Sequence, residues 1–285
     1  MIVTASINKI RAIIKKNKNK TIGFVPTMGA LHQGHLSLVR RARKDCNFLV
    51  VSIFVNPIQF GPKEDFKNYP RNLKKDIQLL KKEGVDLVFS PKNEQMYFYD
   101  FSVFVDEVEL SQTLCGKSRP GHFKGVCTVV SKLFNIVNPD IAYFGQKDYQ
   151  QVLIIKRMVR DLNLSVKIKV LPTVREKDNL AMSSRNVYLK PQARKDSVCL
   201  YEALTFAKKL IKQGQRSPEE ILNKMREIIT SKESTKIDYM IIADAESLKE
   251  LKVIKGKALI SLAVYIDEVR LIDNIVVNIK SFMKK

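Results

Sequence analysis

The chain has 285 residues, of which 45% are hydrophobic, so it can bury the core of one large domain or two modest ones. It contains no run of about eighteen apolar residues to span a bilayer, and its polar, basic start lacks the core of a signal peptide. We therefore expect a cytoplasmic protein. The four cysteines show no paired spacing and lie among apolar residues, which indicates buried, reduced thiols and no structural metal. They are Cys46, Cys115, Cys127 and Cys199.

The net charge of +21 is the strongest global feature. It would attract either nucleic acid or a small polyanionic substrate. Much of the excess is lysine, scattered singly and in pairs among polar residues, so a solvated basic surface explains it equally well. Charge alone therefore does not decide the partner.

Residues 23–35 form the stretch around which the chain is organised. They predict a short buried strand ending at Pro26, a glycine-containing turn, and a helix that begins near Gly34. Such a junction binds phosphate in α/β proteins because unpaired N–H groups at the helix start point outward. His32 and His35 are two of only three histidines, and an imidazole can donate to a phosphate oxygen near pH 7. The stretch therefore predicts an anion-binding corner suited to a triphosphate.

The segments on either side continue an α/β pattern. An amphipathic helix is predicted over residues 6–17, and the apolar, β-branched run 48–55 predicts a strand buried on both faces of a parallel sheet. The loop after that strand carries Gln59, and such loops converge on the ligand crevice of open α/β sheets. We therefore expect Gln59 near the histidines, where its amide suits hydroxyls rather than phosphates. An ordinary loop glutamine is the alternative.

The alternation then continues with a predicted helix at 73–83 and strand at 86–89. Residues 101–110 alternate apolar and polar, which predicts a half-exposed strand that could pair with another copy of the chain. A basic, glycine-containing loop with Arg119 and His122 precedes an apolar helix. This loop is either a second anion-friendly layout or a basic helix cap.

A strand predicted at 141–144 leads at once into a polar segment that opens a helix. Lys147 can neutralise phosphate charge and Asp148 can accept from ribose hydroxyls. Gln151 lies one helical turn from Lys147 on the same face. Helix capping alone would also explain Asp148.

A strand predicted at 166–171 ends at Pro172, and a polar loop follows it. In this loop Ser183, Ser184 and Arg185 offer hydroxyls and a guanidinium that could clamp β- and γ-phosphates and close over a nucleotide.

The pattern changes from about residue 192. Helices predicted at 192–213 and 217–231 precede strands predicted at 237–243, 258–265 and 269–276, as in a small α+β unit. The predicted fold class is thus α/β, a Rossmann-like doubly wound parallel sheet with a smaller C-terminal α+β domain. We expect residues 1–173 to form the first domain and residues 174–285 the second.

These motifs resemble those of the pantothenate synthetase (pantoate–β-alanine ligase) family of the nucleotidylyltransferase superfamily. The resemblance is carried by residues 26–35, 52–60, 69–71, 145–151 and 182–186, in the family's order. It implies that pantoate and ATP give pantoyl adenylate and pyrophosphate, and that the amine of β-alanine then displaces AMP to form pantothenate. It also implies Mg²⁺ bridging the phosphates, a homodimer formed through the first domain, and no nucleic-acid or membrane partner.

Carried over residue by residue, the resemblance assigns the site. His35 would have an acid role, with His32 and Lys147 as further catalytic residues. Gln59 and Gln151 would bind the pantoate hydroxyls, and Gln59 would also contact β-alanine. ATP would be held by Met28, Gly29, Ala30, Leu31, His32, Gln33, Gly34, His35, Gly145, Gln146, Lys147, Asp148, Val174, Met182, Ser183, Ser184 and Arg185.

Other interpretations stay open at this point. Asp76 could make an outer-sphere contact to Mg²⁺, but we expect it to be a surface helix carboxylate. A nucleotidylyltransferase that keeps the nucleotide in its product is an alternative, which Gln59 and Gln151 disfavour. A basic RNA-binding protein is a second alternative, although the chain has no tryptophan and no recognised RNA-binding motif.

Overall fold

The computed structural model describes residues 1–62 and 64–279. It divides into two compact units. The first comprises Met1–Gln112, Arg119–Gln146 and Gln150–Val174. The second comprises Thr113–Ser118, Lys147–Tyr149 and the described chain from Arg175 onwards. The two short segments that join the second unit were not indicated by any sequence pattern.

In the first unit, parallel strands form a six-stranded sheet in the order β1-β4-β3-β2-β5-β6. The strands are β1 (Ile2–Thr4), β2 (Ile22–Thr27), β3 (Phe48–Ile53), β4 (Leu87–Phe89), β5 (Ile141–Gly145) and β6 (Lys167–Leu171). The chain winds outward from β2 through β3 to β4 and then returns to the other side of β2 for β5 and β6. The winding therefore reverses between β2 and β5, and ligands bind at this point in open α/β sheets.

Helices cover both faces of this sheet. Val25 belongs to a buried cluster with Leu36 and Val39, whereas the ring of Phe24 meets that of Phe134 with centroids 6.3 Å apart. Because successive strand residues point to opposite faces, the helices that carry these partners lie on opposite sides. The predicted doubly wound sheet is confirmed. In chain order, the helices before β6 are α1 (Ile7–Lys16), α2 (Gln33–Asp45), α3 (Leu73–Lys82), α4 (Asn93–Met96), α5 (Leu114–Ser118), α6 (His122–Val137) and α7 (Tyr149–Asp161). Of these, α5 and the first residue of α7 belong to the second unit.

The second unit is an α+β fold, as predicted. Its elements are α8 (Pro191–Asp196), α9 (Cys199–Lys212), α10 (Pro218–Thr230), β7 (Thr235–Asp244), β8 (Lys257–Ile266) and β9 (Val269–Asn278). The strands form an antiparallel sheet in the order β7-β8-β9. The apolar side of α9, with Leu204 and Ile211, shares one buried cluster with Leu262 of β8.

The predicted strand at 101–110 is wrong, because residues 101–109 are irregular and Leu110 begins a 3-10 helix. The ring of Phe101 packs against those of Tyr97 and Phe104, with centroids 4.8 and 4.9 Å away. The Val105 N–H donates to Thr128 Oγ1 at 3.0 Å rather than to a strand. Ring contacts and a bond to a side chain, not a ladder of backbone hydrogen bonds, therefore hold this segment.

Two smaller differences concern element limits. The strand β1 was not predicted, and the helix expected over 192–213 is divided into α8 and α9. Among the described residues, every helix is too short or too polar to cross a membrane.

Candidate active site

The turn after β2 is held by a buried carboxylate from α3. Gly29 and Ala30 both have left-handed backbone angles, with φ of +81° and +49°. Asp76 Oδ2 accepts from the Ala30 N–H at 3.0 Å and Oδ1 from the Leu31 N–H at 2.8 Å. Burial raises the pKa of Asp76, while these two hydrogen bonds oppose that rise. Asp76 is only 2% exposed, so the prediction of a surface carboxylate is wrong.

The two histidines stack at the start of α2. Their ring centroids are 4.1 Å apart. His32 Nδ1 accepts from the Gly34 N–H at 3.1 Å, and His35 Nδ1 accepts from the His32 N–H at 3.4 Å. Since each Nδ1 is an acceptor, the neutral rings carry their protons on Nε2. Nε2–H is thus the donor of each ring, and such a group can bind a phosphate oxygen.

Four backbone N–H groups of this corner have acceptors inside the protein. Those of Ala30 and Leu31 bond to Asp76, and those of His32 and Gly34 bond to the imidazoles. The prediction that unpaired N–H groups point outward is wrong for these four positions. A phosphate at this corner would meet imidazole donors instead.

Gln59 lies on a short 3-10 helix, Pro57–Gln59, after β3. Asn56 Nδ2 donates to Gln59 Oε1 at 3.0 Å, and Gln59 Nε2 donates to Met28 Sδ at 3.1 Å. The latter contact brings Gln59 to the turn that carries the histidines. The Tyr97 hydroxyl donates to Asn56 Oδ1 at 2.7 Å, and burial raises the pKa of Tyr97, so the hydroxyl stays a donor at neutral pH. Neither Asn56 nor Tyr97 was predicted as a site residue from the sequence.

Arg119 and His122 also converge on the main chain of Gln59. Arg119 forms a two-point ion pair with Glu64, and its Nη1 lies 3.0 Å from His122 Nε2. His122 Nδ1 lies 2.8 Å from the Gln59 carbonyl oxygen. The basic loop is thus engaged in internal contacts around the Gln59 turn.

A cavity of about 380 Å³ opens at the carboxyl ends of β3 and β4 and reaches Met28 and Gly29. Arg71, in its wall, holds the neighbouring loop together by donating to the carbonyls of Phe66, Lys67 and Tyr69. Since these bonds occupy both terminal nitrogens of Arg71, the guanidinium organises the loop.

At and after the end of β5, the first unit contains a glycine that borders open space and three glutamines. A Cβ added to Gly145 would meet no atom within 4 Å, so the backbone borders open space there. Gln146 and Gln151 are half-buried, whereas Gln150 is buried and donates to the Leu110 carbonyl at 2.8 Å. Gln150 is therefore structural, whereas Gln151 is only half-buried.

Lys147 and Asp148 belong to the second unit. The pKa of Lys147 is lowered, mainly by burial. The negative charges of Asp148 and Asp273 oppose this shift, and the positive charge of Arg185 adds to it. Among the described residues, no carboxylate forms a salt bridge with Lys147. A half-buried cation in such surroundings is costly, which is typical of a functional group that meets an anion.

The loop predicted to bind phosphates, residues 182–186, is held by hydrogen bonds within the second unit. Ser183 Oγ accepts from the Arg185 N–H at 3.3 Å and caps the 3-10 helix Ser184–Tyr188. Asn186 Nδ2 donates to Glu176 Oε1 at 2.6 Å, and Arg175 pairs with Asp273 at 2.6 Å. Met182 and Ser183 are half-buried, as is Val174 at the end of the first unit. Across the described residues, His, Cys, Asp and Glu nowhere gather in threes that could hold a metal.

A doubly wound parallel sheet with paired imidazoles and an oriented amide at its strand ends defines a nucleotide-binding α/β enzyme. Comparison with known proteins makes this specific. The family model for pantoate-beta-alanine ligase matches residues 2–276. The pantothenate synthetase of Fervidobacterium nodosum is 55% identical over 280 residues, which cover 98% of this chain and 100% of that protein. The pantothenate synthetase of Carboxydothermus hydrogenoformans is 55% identical over 266 residues, covering 93% and 94%.

Solved structures of the same family are similar to this chain over nearly its whole length. The crystal structure of pantothenate synthetase from Thermus thermophilus has a TM-score of 0.93 at 46% identity, over 96% of this chain and 99% of that chain. The pantoate-beta-alanine ligase of Francisella tularensis, complexed with beta-gamma ATP and beta-alanine, has a TM-score of 0.80 at 38% identity, over 97% of both chains. The chain belongs to the pantoate–β-alanine ligase family. It is an ATP-dependent ligase that condenses pantoate with β-alanine.

Proposed function

We propose that the condensation proceeds through pantoyl adenylate. The pantoate carboxylate attacks the α-phosphorus of ATP and releases pyrophosphate, and the β-alanine amine then attacks the acyl carbon and releases AMP. The carboxylate is already ionised at neutral pH and needs no base, so the enzyme's work is positioning and neutralisation of developing charge. The observation that carries this proposal is the His32–His35 stack, in which backbone N–H groups set both tautomers so that the Nε2–H donors are preorganised.

ATP-binding residues are proposed on both units. In the first unit these are residues 28–35, Gly145, Gln146 and Val174, with His35 Nε2 donating a proton toward the reacting phosphate. In the second they are Lys147, Asp148 and residues 182–185, where a half-buried cation, two hydroxyls and a guanidinium suit the phosphates. We propose residues 1–173 as the nucleotide- and pantoate-binding domain and residues 174–285 as the domain that carries the phosphate-closing loop; residues 280–285 lie outside the described part.

Mg²⁺ is proposed to bind together with ATP, held mainly by the phosphates and water. Both oxygens of Asp76 accept backbone N–H groups, so this carboxylate is committed to the turn. Magnesium is commonly held by substrate phosphates and water with few protein ligands, which fits these surroundings. When bound, it would neutralise charge on the leaving pyrophosphate.

Gln59 and Gln151 are proposed to bind the pantoate hydroxyls, with Gln59 also contacting β-alanine. The Gln59 side-chain oxygen is engaged by Asn56, while its Nε2 donates to the thioether of Met28. A thioether is a weak acceptor, so a substrate hydroxyl would replace it readily.

Steady-state kinetics test this assignment. Gln59→Ala and Gln151→Ala should each raise the KM for pantoate by about 5- to 150-fold, the equivalent of about 1–3 kcal/mol for an unpaired hydroxyl. The KM for ATP should change little. An unchanged pantoate KM with a raised ATP KM would show that these residues serve the nucleotide.

A homodimer formed through the first unit is proposed from an exposed apolar segment, residues 98–108. Phe98 is 68% exposed, and Val103 and Val108 are both 77% exposed. Such a patch is typical of an interface, and a second copy of the chain would cover it. Sedimentation of the parent should give a dimer and that of Val103→Asp a monomer; a monomeric parent would contradict the proposal. We also propose a cytoplasmic location, since all four cysteines are buried and none forms a disulfide.

A further inference from the structure

Three polar side chains form a series of contacts that ends on the main chain of Gln59. Glu64 accepts from Arg119 Nε at 2.7 Å and from Nη2 at 2.6 Å. Arg119 Nη1 lies 3.0 Å from His122 Nε2, and His122 Nδ1 lies 2.8 Å from the Gln59 carbonyl oxygen. His122 is buried, and the side chains of Arg119 and Glu64 are only 16% and 24% exposed, so solvent screens this series weakly.

The arginine determines which ring nitrogen of His122 accepts and which donates. A guanidinium only donates, so the His122 nitrogen that faces Arg119 must accept. The neutral ring then carries its proton on Nδ1 and donates it to the Gln59 carbonyl. Burial alone would raise the pKa of Glu64, but the hydrogen bonds and charge of Arg119 bring it below its usual value. Glu64 therefore stays ionised and keeps Arg119 oriented.

The turn that carries Gln59 is also packed closely against α6. A Cβ added to Gly125 would lie 2.4 Å from the Ile58 carbonyl oxygen and 2.7 Å from Gln59 Cα. Asn56 Nδ2 bridges the Gly125 carbonyl at 3.1 Å and Gln59 Oε1 at 3.0 Å. The Gln59 side chain is thus held by Asn56 and Met28, and its backbone oxygen by His122 and, at 3.5 Å, by Arg119 Nη2.

We propose that Glu64, Arg119 and His122 are positioning residues that set the orientation of the Gln59 amide and thereby the affinity for pantoate. The inference rests on the proposed role of Gln59 in binding pantoate. Hydrogen bonds weaken steeply with misalignment, so a small rotation of the Gln59 turn is enough to lose the substrate hydroxyl. The turn with the histidines has its own anchor in Asp76, and therefore the effect should be selective for pantoate over ATP.

Two matched variants of His122 separate this role from general packing. Asparagine carries its amide nitrogen on Cγ, as histidine carries Nδ1, whereas glutamine carries its amide nitrogen one bond further out. His122→Asn should therefore keep the donor to the Gln59 carbonyl, and His122→Gln should lose it. We expect His122→Gln to raise the pantoate KM about fivefold, the effect of one lost hydrogen bond, with the ATP KM within about twofold of the parent. His122→Asn should stay near the parent in both.

Equal pantoate KM values for the two variants, or parallel rises in the pantoate and ATP KM, would overturn the inference and leave a structural role only. Should a His122 variant fail to fold, Glu64→Gln, which keeps the side chain's shape, should still raise the pantoate KM selectively; no change would also overturn it. Gln59→Ala, measured alongside, separates the two proposals. If Gln59→Ala raises the pantoate KM and His122→Gln does not, only the positioning role fails. If neither changes it, the assignment of Gln59 itself fails.

Discussion

Removing the Asp76 carboxylate should loosen the turn that carries the proposed ATP-binding residues. Asp76 accepts the Ala30 and Leu31 N–H groups at 3.0 and 2.8 Å and is 2% exposed, so water cannot easily replace it. A buried donor left without an acceptor costs about 1–3 kcal/mol, so Asp76→Ala should lower the free energy of unfolding by about 2–6 kcal/mol. We expect a loss below the upper end of this range, because the parent must bury a carboxylate whose pKa is raised by desolvation. Asp76→Asn keeps one acceptor oxygen and should cost about half as much.

Hydrogen exchange measures this effect at the two amides concerned. In the parent, the Ala30 and Leu31 amides should be protected, and in Asp76→Ala they should exchange much faster, with a raised KM for ATP. Asp161→Ala is a suitable control, because Asp161 is 51% exposed and pairs with the neighbouring Arg160. Unchanged protection of both amides in Asp76→Ala would refute the role of this carboxylate.

Three further predictions follow from individual contacts. His32→Ala and His35→Ala should each slow adenylation by about 10²–10³ without loss of folding, since each removes a preorganised donor; parent-like rates would remove them from the mechanism. Gly125→Ala should lower the unfolding midpoint and weaken pantoate saturation because its Cβ would lie 2.4 Å from a carbonyl oxygen, whereas in Gly61→Ala the Cβ would meet only Glu64 at 3.7 Å and should be tolerated. The pKa of Asp45 is lowered to about 2, mainly by a hydrogen bond from Lys169. Burial opposes this shift, and hydrogen bonds from Arg41 and Tyr143 add to it. The stabilising contribution of Asp45 is therefore present above about pH 4 and lost as the pH falls toward 2, so the difference in urea midpoint between parent and Asp45→Asn should shrink over that interval; a constant difference would argue against this ion-pair network.

The main features of the first unit could be predicted from its hydrophobic pattern. Apolar, β-branched runs ending in proline or glycine mark β2 and β3, because strands buried on both faces need no polar alternation. Once these strands are parallel, their carboxyl ends must lie at one edge, and this alone places the Gln59 turn beside the histidines.

Contacts between residues far apart in sequence could not be predicted in the same way. Asp76 follows its partners by more than forty residues, and a carboxylate in the first turn of a helix is normally solvated. Its burial makes sense only once the left-handed turn at Gly29 and Ala30 is known, because that conformation turns two N–H groups toward α3. The prediction for segment 101–110 failed for a related reason, since period-two alternation also occurs in an irregular segment that is held by a distant side chain, as Val105 is by Thr128. The hydrogen bond from Tyr97 to Asn56 could not be predicted either, because it joins residues 41 positions apart.

Pantoate-dependent exchange of labelled pyrophosphate into ATP tests the acyl-adenylate route most directly. With Mg²⁺ and pantoate present and β-alanine absent, exchange should be rapid and should greatly outpace AMP release, because the adenylate waits, shielded from water, for its amine. Adding β-alanine should then release AMP. Absence of pantoate-dependent exchange at every magnesium concentration, or AMP retained covalently in the final product, would contradict the route and favour a nucleotidylyltransferase reaction.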